Sequence, residues 1–564
     1  MLSDLEIAYK SRLKPITDIA LNLGLKKREF HPYGNYMGKV SLSAVDRLKD
    51  RKNGKYIVVT SITPTPLGEG KTVISIGLSM ALNRIGRKSS VCLRQPSLGP
   101  VFGVKGGAAG GGYSQVLPME DFNLNLTGDI HAVTDAHNLC SAFLDNSIFH
   151  GNRCNIDLDS ITWKRVMDVS DRSLRRVRTG LGFKDKAFER SSGFDITAAS
   201  EVMAILSLSE NLADLRKRLG KIVLAFDRHG RPVTTEDIKA AGAMAVLLKD
   251  AIKPNLIQTI ENTPCFVHTG PFGNIAHGNN SIISDRIALK LSDFVVTESG
   301  FGADCGGEKF FDIKCRLSGL VPDCAVIVFS VRALKFHSGK HKYSSFQDKK
   351  VWMKEDIPAV KKGAENLRRQ INNVKLFGIP VAAVVNRFNF DHKKELDFAV
   401  KKALEFGADR AVVSDVWAGG SSGGIDLARA VVELAESRNK KFRFLYPLSM
   451  PIKKKIKVLS KDVYKAGKVT YTADAERKIG HLTRLGYGNL PVCMAKTHLS
   501  LSADPKLKGA PSGFTLPVRD VHASIGAGFL LPLCGKINTM PGLPEHPAGE
   551  NIDIDSRGKI KGLF

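Results

Sequence analysis

A lysine beside a threonine at the end of a glycine-rich turn can hold and polarise a phosphate group. The stretch Thr63-Pro64-Thr65-Pro66-Leu67-Gly68-Glu69-Gly70-Lys71-Thr72 carries that pair. An apolar run at 56–62 precedes it and a helix-periodic segment at 73–85 follows, so the order is strand, loop, helix. In such a loop the backbone N–H groups and the helix N-terminus face phosphate oxygens, the lysine reaches the β/γ phosphates and the threonine hydroxyl can ligate Mg²⁺. The usual pattern, G-x-x-x-x-G-K-[ST], has Gly where this chain has Thr65. Thr65, Pro66, Leu67, Gly68, Glu69, Gly70, Lys71 and Thr72 are the candidate nucleotide-binding residues, with Thr72 the candidate metal ligand. The competing possibility is an ordinary glycine-rich turn with a solvated Lys71.

A second loop, Lys105-Gly106-Gly107-Ala108-Ala109-Gly110-Gly111-Gly112-Tyr113, brings backbone close to a partner or visits positive φ repeatedly, and its N–H groups can form an anion nest. Just upstream, the run 91–93 leads into Arg94-Gln95-Pro96-Ser97-Leu98-Gly99-Pro100, placing Arg94 at a strand end where its fork can meet a carboxylate or phosphate. Asp129, His131, Asp135 and His137 are spaced in a way that suggests a metal site, but no clear third ligand stands out. Structural hydrogen bonding fits them better, with Asp129 and His131 as candidates for lining the cleft. Phe301, Phe388 and Trp417 each follow an apolar run, so each is placed either to pack in a core or to stack on a flat heterocycle.

The elements that must position these residues are continuous apolar runs at 56–62, 89–93, 222–226, 265–267, 294–297, 325–331, 381–385 and 411–414. They alternate with helical patterns at 211–219, 235–249, 359–377 and 393–406. Runs that are apolar throughout mark parallel strands covered on both faces, so an α/β fold is expected: a doubly wound, mostly parallel sheet of P-loop NTPase type. Residues 1–50 read as a helical lead-in, and after Leu445 short runs broken by Pro and Gly mark a small, more irregular region.

At 564 residues the chain exceeds one compact core. The 83 basic and 56 acidic residues leave a net charge of +27, dispersed rather than interleaved with aromatics. That distribution favours anionic metabolites over nucleic acid. Nine scattered cysteines without a C-x-x-C pair argue against a disulfide framework or a zinc cluster and fit a reducing cytoplasm. The N-terminus shows no signal-peptide pattern and no apolar run approaches the ~18 residues of a membrane span.

Thr65–Thr72, the Arg94–Pro100 segment, the 105–113 loop, Val331-Arg332-Ala333-Leu334-Lys335 and Met540-Pro541-Gly542-Leu543-Pro544 together resemble the formate–tetrahydrofolate ligase family over essentially the whole chain. The resemblance implies a cytoplasmic homotetramer that joins formate to N10 of tetrahydrofolate with Mg-ATP, through formyl phosphate, with K⁺ or NH₄⁺ as activator. It implies that Lys71 acts on the transferring phosphoryl group and that Arg94 clamps formate and formyl phosphate. Lys105, Gly106, Gly107, Gly110, Gly111, Gly112, Tyr113 and Asp129 would flank the formyl phosphate, and Phe301, Phe388 and Trp417 would sandwich the pterin of a polyglutamylated folate. The expected domains are 1–360 with the nucleotide and formate sites, 361–495 contributing to the folate pocket, and 496–564. The chain departs from the family pattern at Gln95, Asn389, Ser338 and Gly419–Ser422. Two alternatives share the same phosphate loop: a carboxylate-activating ligase with another acceptor, and a switch ATPase that binds partner proteins.

Overall fold

The computed structural model describes residues 3–66, 68–105, 107–182, 189–340, 349–437, 440–535 and 537–563; the expectations for Leu67, Gly106 and the side chain of Lys105 fall outside what it describes. Twelve strands form the central sheet: β1 Phe30–Tyr33, β2 Met37–Val40, β3 Lys55–Ser61, β4 Ser89–Leu93, β5 Gly110–Gly111, β6 Ser114–Leu117, β7 Asn255–Thr259, β8 Pro264–Val267, β9 Phe294–Glu298, β10 Cys324–Phe329, β11 Val381–Asn386 and β12 Arg410–Ser414. The order across it is β1-β2-β7-β8-β4-β9-β3-β10-β11-β12. From β8 to β12 every neighbour is parallel, whereas β1, β2, β7 and β8 are joined antiparallel, as are the side branches β6 on β7 and β5 on β6. The sheet is therefore mixed, with a parallel core.

The apolar runs follow from coverage on both faces. Along β3, Tyr56 and Val58 pack with Ile282, Ile287, Leu367 and Ile371, while Ile57 and Val59 pack with Ile74, Leu78, Ala428 and Val431. The first face is covered by the helices Ile282–Leu291 and Ile357–Lys375. The second is covered by the helices Lys71–Arg84, called α1 here, and Ile425–Glu436. Each fully buried Val or Ile of β3 contributes about 1.5–3 kcal/mol of transfer free energy, so a polar residue at either face would be costly.

The expected helical lead-in at 1–50 also holds β1 and β2, and two of the expected strands shift. The run 222–226 forms strand Val223–Phe226, but its partner is the nearby Pro232–Thr234 in a separate two-stranded hairpin. The run 325–331 ends its strand at Phe329, because the Ser330 side chain accepts the Ala333 N–H and caps the helix Val331–His337. A third apolar cluster, including Tyr446, Ile456, Leu516, Val518 and Leu530, lies around the strand pair Lys468–Tyr471/Thr515–Val518 and the hairpin Asp520–Ser524/Phe529–Leu533. Among the described residues no helix is long and apolar enough to cross a membrane.

The chain runs from β3 to β4 past the position that β9 later fills, then crosses to the other side of β3 at β10. Ligands in open α/β sheets bind beyond strand C-termini where the winding reverses. The ends of β3, β4, β9, β10, β11 and β12 lead into Thr63–Gly70, Arg94, Phe301, Arg332, Phe388 and Trp417.

Candidate active site

α1 begins directly after Gly70, which takes φ +79. Two facts require glycine there: the left-handed backbone, and a Cβ that would sit 2.1 Å from Asn386 Nδ2. Asn386 Nδ2 donates to the Glu69 carbonyl at 3.1 Å, and the Thr65 N–H donates to Glu69 Oε1 at 2.7 Å, so the turn is folded on itself. The 14-residue α1 has no acidic residue in its first turn, which leaves the positive end of its dipole open to an anion. Its middle, Ile74 to Leu82, is buried on all sides and fixes its direction against the sheet.

Lys71 opens α1; its carbonyl accepts the Ser75 hydroxyl at 2.9 Å, and its ammonium has no hydrogen-bond or ion-pair partner among the described residues. Burial pushes its pKa below the ordinary lysine value; Glu298 and Glu69 oppose that shift and Arg94 adds to it. Glu298, the last residue of β9, joins the two halves of the site. Its Oε2 accepts the Thr72 hydroxyl at 2.7 Å, and its Oε1 lies 3.8 Å from Arg94 Nη2. Nothing in the sequence reading singled out Glu298, although a carboxylate closing an otherwise apolar parallel strand was a visible signal.

Arg94 donates from Nη1 to the Pro271 carbonyl at 3.1 Å, and its Nε is buried without a partner among the described residues. Beside it, the Gln95 amide is also buried and unpartnered, as is Thr269 Oγ1; the Gln95 N–H donates to the Thr269 carbonyl at 2.8 Å. A buried polar group left without a partner costs ~1–3 kcal/mol. Three residues with such groups lie at the ends of β4 and β8, called the Arg94 cradle here, and the N–H donors of Arg94 and Gln95 and the Thr269 hydroxyl are of the kind a small oxyanion accepts. Burial also lowers the Arg94 pKa, with Glu298 opposing.

The glycine loop is anchored rather than open. The Gly112 N–H donates to Asp4 Oδ1 at 2.9 Å, the Tyr113 N–H to the Trp417 carbonyl at 2.7 Å, and the Gly107 N–H to the Leu563 carbonyl at 2.6 Å. Gly112 takes φ +57, and a Cβ there would lie 2.1 Å from the Trp417 carbonyl oxygen. The loop thus meets Trp417 by backbone contact. Lys105 ends the helical turn Val101–Lys105, and Gly110 and Gly111 form β5. Asp129 is committed elsewhere: its carboxylate accepts Lys39 Nζ at 2.7 Å and Asn255 Nδ2 at 2.7 Å. Among the described residues no cluster of three His, Cys, Asp or Glu could hold a metal.

Phe301 holds φ +61, a strained value for a β-carbon residue, and its ring stacks on His498 at 4.0 Å and 20°. Its neighbour Gly300 approaches Arg94: a Cβ there would lie 3.2 Å from Nη1. Phe388 lies beneath the Arg332 guanidinium at 3.7 Å, and Arg332 donates to the Gly68 carbonyl at 3.3 Å. Phe301 is therefore tied to the Arg94 cradle, Phe388 to the 65–72 loop and Trp417 to the glycine loop. Of the four departures, Gln95 lines the cradle. Asn389 is exposed, Ser338 caps a helix end through its bond to the Lys335 carbonyl at 2.6 Å, and Ser421 donates its N–H to Glu261 Oε1 at 2.9 Å.

A buried network braces the loop from behind. Thr63 Oγ1 accepts Asn366 Nδ2 at 2.9 Å and Gln370 Nε2 at 3.1 Å; Gln370 also donates to Asp304, which pairs with Lys496 at 2.7 Å. His337 Nε2 meets the Thr63 carbonyl at 2.8 Å while Nδ1 accepts the Gly509 N–H at 3.4 Å, and burial lowers its pKa to about 4, so the ring is neutral. Lys335 is spent on a buried pair with Glu395 at 2.7 Å.

Comparison with known proteins gives a consistent result. The family model described as formate–tetrahydrofolate ligase matches residues 2–564. The chain is 56% identical over 564 residues to a formate–tetrahydrofolate ligase of Roseiflexus castenholzii, covering all of both chains. It is 53% identical over 573 residues to formate–tetrahydrofolate ligase 2 of Rubrobacter xylanophilus, covering all of this chain and 99% of that one. It is 53% identical over 563 residues to the enzyme of the same name from Desulforamulus reducens, again covering all of this chain and 99% of the other.

Proposed function

Because the chain belongs to the formate–tetrahydrofolate ligase family, we propose that Lys71 and Arg94 carry its reaction at the edge where β3, β4 and β9 end. The enzyme joins formate to tetrahydrofolate at the expense of ATP. One observation carries the assignment of roles: Glu298 contacts Thr72 of the phosphate loop on one side and Arg94 of the oxyanion cradle on the other.

In the first step a formate oxygen attacks the γ-phosphorus of ATP, the bond to the β-phosphate oxygen breaks, and ADP leaves. Phosphoryl transfer is catalysed by positioning and charge neutralisation. The unpartnered Lys71 ammonium meets the charge on the transferring group, and the N-terminus of α1 with the 65–72 loop holds the remaining phosphates. Arg94 holds formate through its orphaned Nε–H, with the Gln95 amide as a second donor. The Thr72 hydroxyl and the Glu298 carboxylate are hard oxygen donors that fit Mg²⁺ sharing phosphate ligands. When bound, the ion neutralises phosphate charge. In the second step the N10 lone pair attacks the formyl carbon, the carbon–oxygen bond to phosphate breaks, and N10 loses its proton. Arg94 remains against the departing phosphate. Phe301, at the lip of the cradle, and Phe388 are the stacking surfaces for the pterin, and Trp417 borders the glycine loop.

The strand–loop–helix with Gly70 in the left-handed region, and a carboxylate on the neighbouring strand meeting the loop threonine, support assignment to the P-loop NTPase class. The family resemblance supports a cytoplasmic homotetramer, a monovalent cation activator and polyglutamylated folate. The test is purified protein with MgATP, formate and tetrahydrofolate. Formation of 5,10-methenyltetrahydrofolate on acidification, lost in Arg94→Ala, is expected; formate-dependent ADP release without folate consumption overturns the acceptor.

A further inference from the structure

A cavity of about 180 Å³ lies between the residues around 137–204 and the C-terminal apolar cluster. Its wall includes Ile275 and Ala276, on the segment that also supplies the Pro271 carbonyl to Arg94, but neither Lys71 nor Arg94 lines it. Three aromatic side chains, Trp163, Phe226 and Phe529, supply apolar wall. Trp163 is stacked on the neutral His137 at 3.9 Å, and Phe226 meets the edge of His481 at 4.9 Å, so both rings are fixed. Pockets at the meeting of two cores, mostly apolar with a few convergent polar groups, are the common form of a small-molecule site.

Charge decides what such a ligand is. Lys164 on the wall pairs with Asp195 at 3.0 Å, and Lys478 pairs with Asp520 at 2.7 Å, which also receives His522 at 3.1 Å. Glu201, in the first turn of the helix Glu201–Leu208, has no cationic partner among the described residues; its Oε1 accepts only the Ala527 N–H at 3.2 Å among hydrogen bonds of known length. The two lysines and the two aspartates cancel, so the cavity carries one uncompensated acidic group. We propose that this cavity is a binding site for a small organic cation, an amine or amidine on a flat apolar body, with Glu201 as its counter-ion and the aromatic walls around its ring. Burial raises the Glu201 pKa to about 8 against the backbone N–H bonds it accepts, as expected of a carboxyl whose counter-ion is missing. A cation would restore its ionised form, and aromatic faces favour the same charge.

The test is calorimetric titration of the full chain at pH 8.5 with benzamidine, a flat ring bearing a cation, and with benzamide, its neutral counterpart. Benzamidine should bind at least tenfold more tightly than benzamide. Glu201→Gln should remove that tenfold preference, and Ala523→Phe, which fills the cavity from its rim, should abolish binding of both. Lys71→Ala should bind benzamidine as the parent does, which separates this cavity from the nucleotide site. Equal affinity for the two probes, no binding of either, or retention of the preference in a folded Glu201→Gln variant would overturn the proposal.

Discussion

Glu298→Gln separates the two jobs assigned to Glu298. The amide keeps an acceptor for the Thr72 hydroxyl, now at 2.7 Å from Oε2, and removes the charge 3.8 Å from Arg94 Nη2. At the effective dielectric of ~20 suited to protein sites, one opposite charge at that separation is worth about 4 kcal/mol before solvation changes. Two consequences have opposite sign. Arg94 and Lys71 lose a competing carboxylate, so attraction for formate rises or stays level. The proposed Mg²⁺ site loses its one anionic side-chain donor, so handling of MgATP falls. Loss of one preorganised transition-state group typically costs ~10²–10³ in rate, or ~2.7–4 kcal/mol. We therefore expect kcat/KM for MgATP to drop by about 10²-fold, the Mg²⁺ concentration for half activity to rise at least ~10-fold, and the formate KM not to increase. Steady-state titrations of Mg²⁺ at saturating ATP, and of formate at saturating Mg²⁺, read these separately. Activity and Mg²⁺ dependence within threefold of the parent, or a large rise in formate KM alone, would refute the shared-carboxylate reasoning.

Lys71→Ala should lower kcat by about 10³-fold while shifting stability by less than ~0.5 kcal/mol, because the ammonium has no partner to lose among the described residues and Ala keeps the carbonyl that accepts Ser75; kinetics with thermal unfolding check it, and a large stability loss would contradict it. Gly112→Ala should destabilise the protein by ~2–3 kcal/mol, since it combines φ +57 with a Cβ 2.1 Å from the Trp417 carbonyl oxygen; denaturant unfolding reads this. Phe388→Ala should raise the folate KM about tenfold with little change in formate KM; an effect on stability alone would make the ring a packing residue. Burial raises the Glu201 pKa from the ordinary 4.5 to about 8, so its protonated form favours the fold, and stability is lost at ~1.4 kcal/mol per pH unit as pH rises through that window. Glu201→Gln should accordingly match the parent in thermal stability near pH 4.5 and exceed it above pH 8.

What was legible in the sequence follows from how locally each feature is determined. The strand–loop–helix order around 65–72 and the place of Arg94 after β4 were legible because a strand end, a glycine needing left-handed backbone and a helix start are adjacent in the chain. The parallel core was legible because the runs 56–59 of β3, 324–329 of β10 and 381–385 of β11 are buried on both faces and apolar throughout. The run 222–226 was equally apolar, yet its strand pairs with a local one, which composition cannot distinguish. β1 and β7 were missed because they are short and carry polar residues such as His31, Asn255 and Gln258. Glu298 was missed because its meaning depends on Thr72, 226 positions away in the chain. The glycine loop was legible as unusual backbone, but not that Asp4, Trp417 and Leu563 would occupy its N–H groups.

The most direct test of the central claim, that Lys71 and Arg94 pass a phosphoryl group to formate before folate is formylated, is to run the complete reaction with ¹⁸O-labelled formate and measure the released phosphate by mass spectrometry. Attack of a formate oxygen on phosphorus, then cleavage of the carbon–oxygen bond, predicts one ¹⁸O in each phosphate, with turnover abolished in Arg94→Ala. Product formation with unlabelled phosphate would contradict the account.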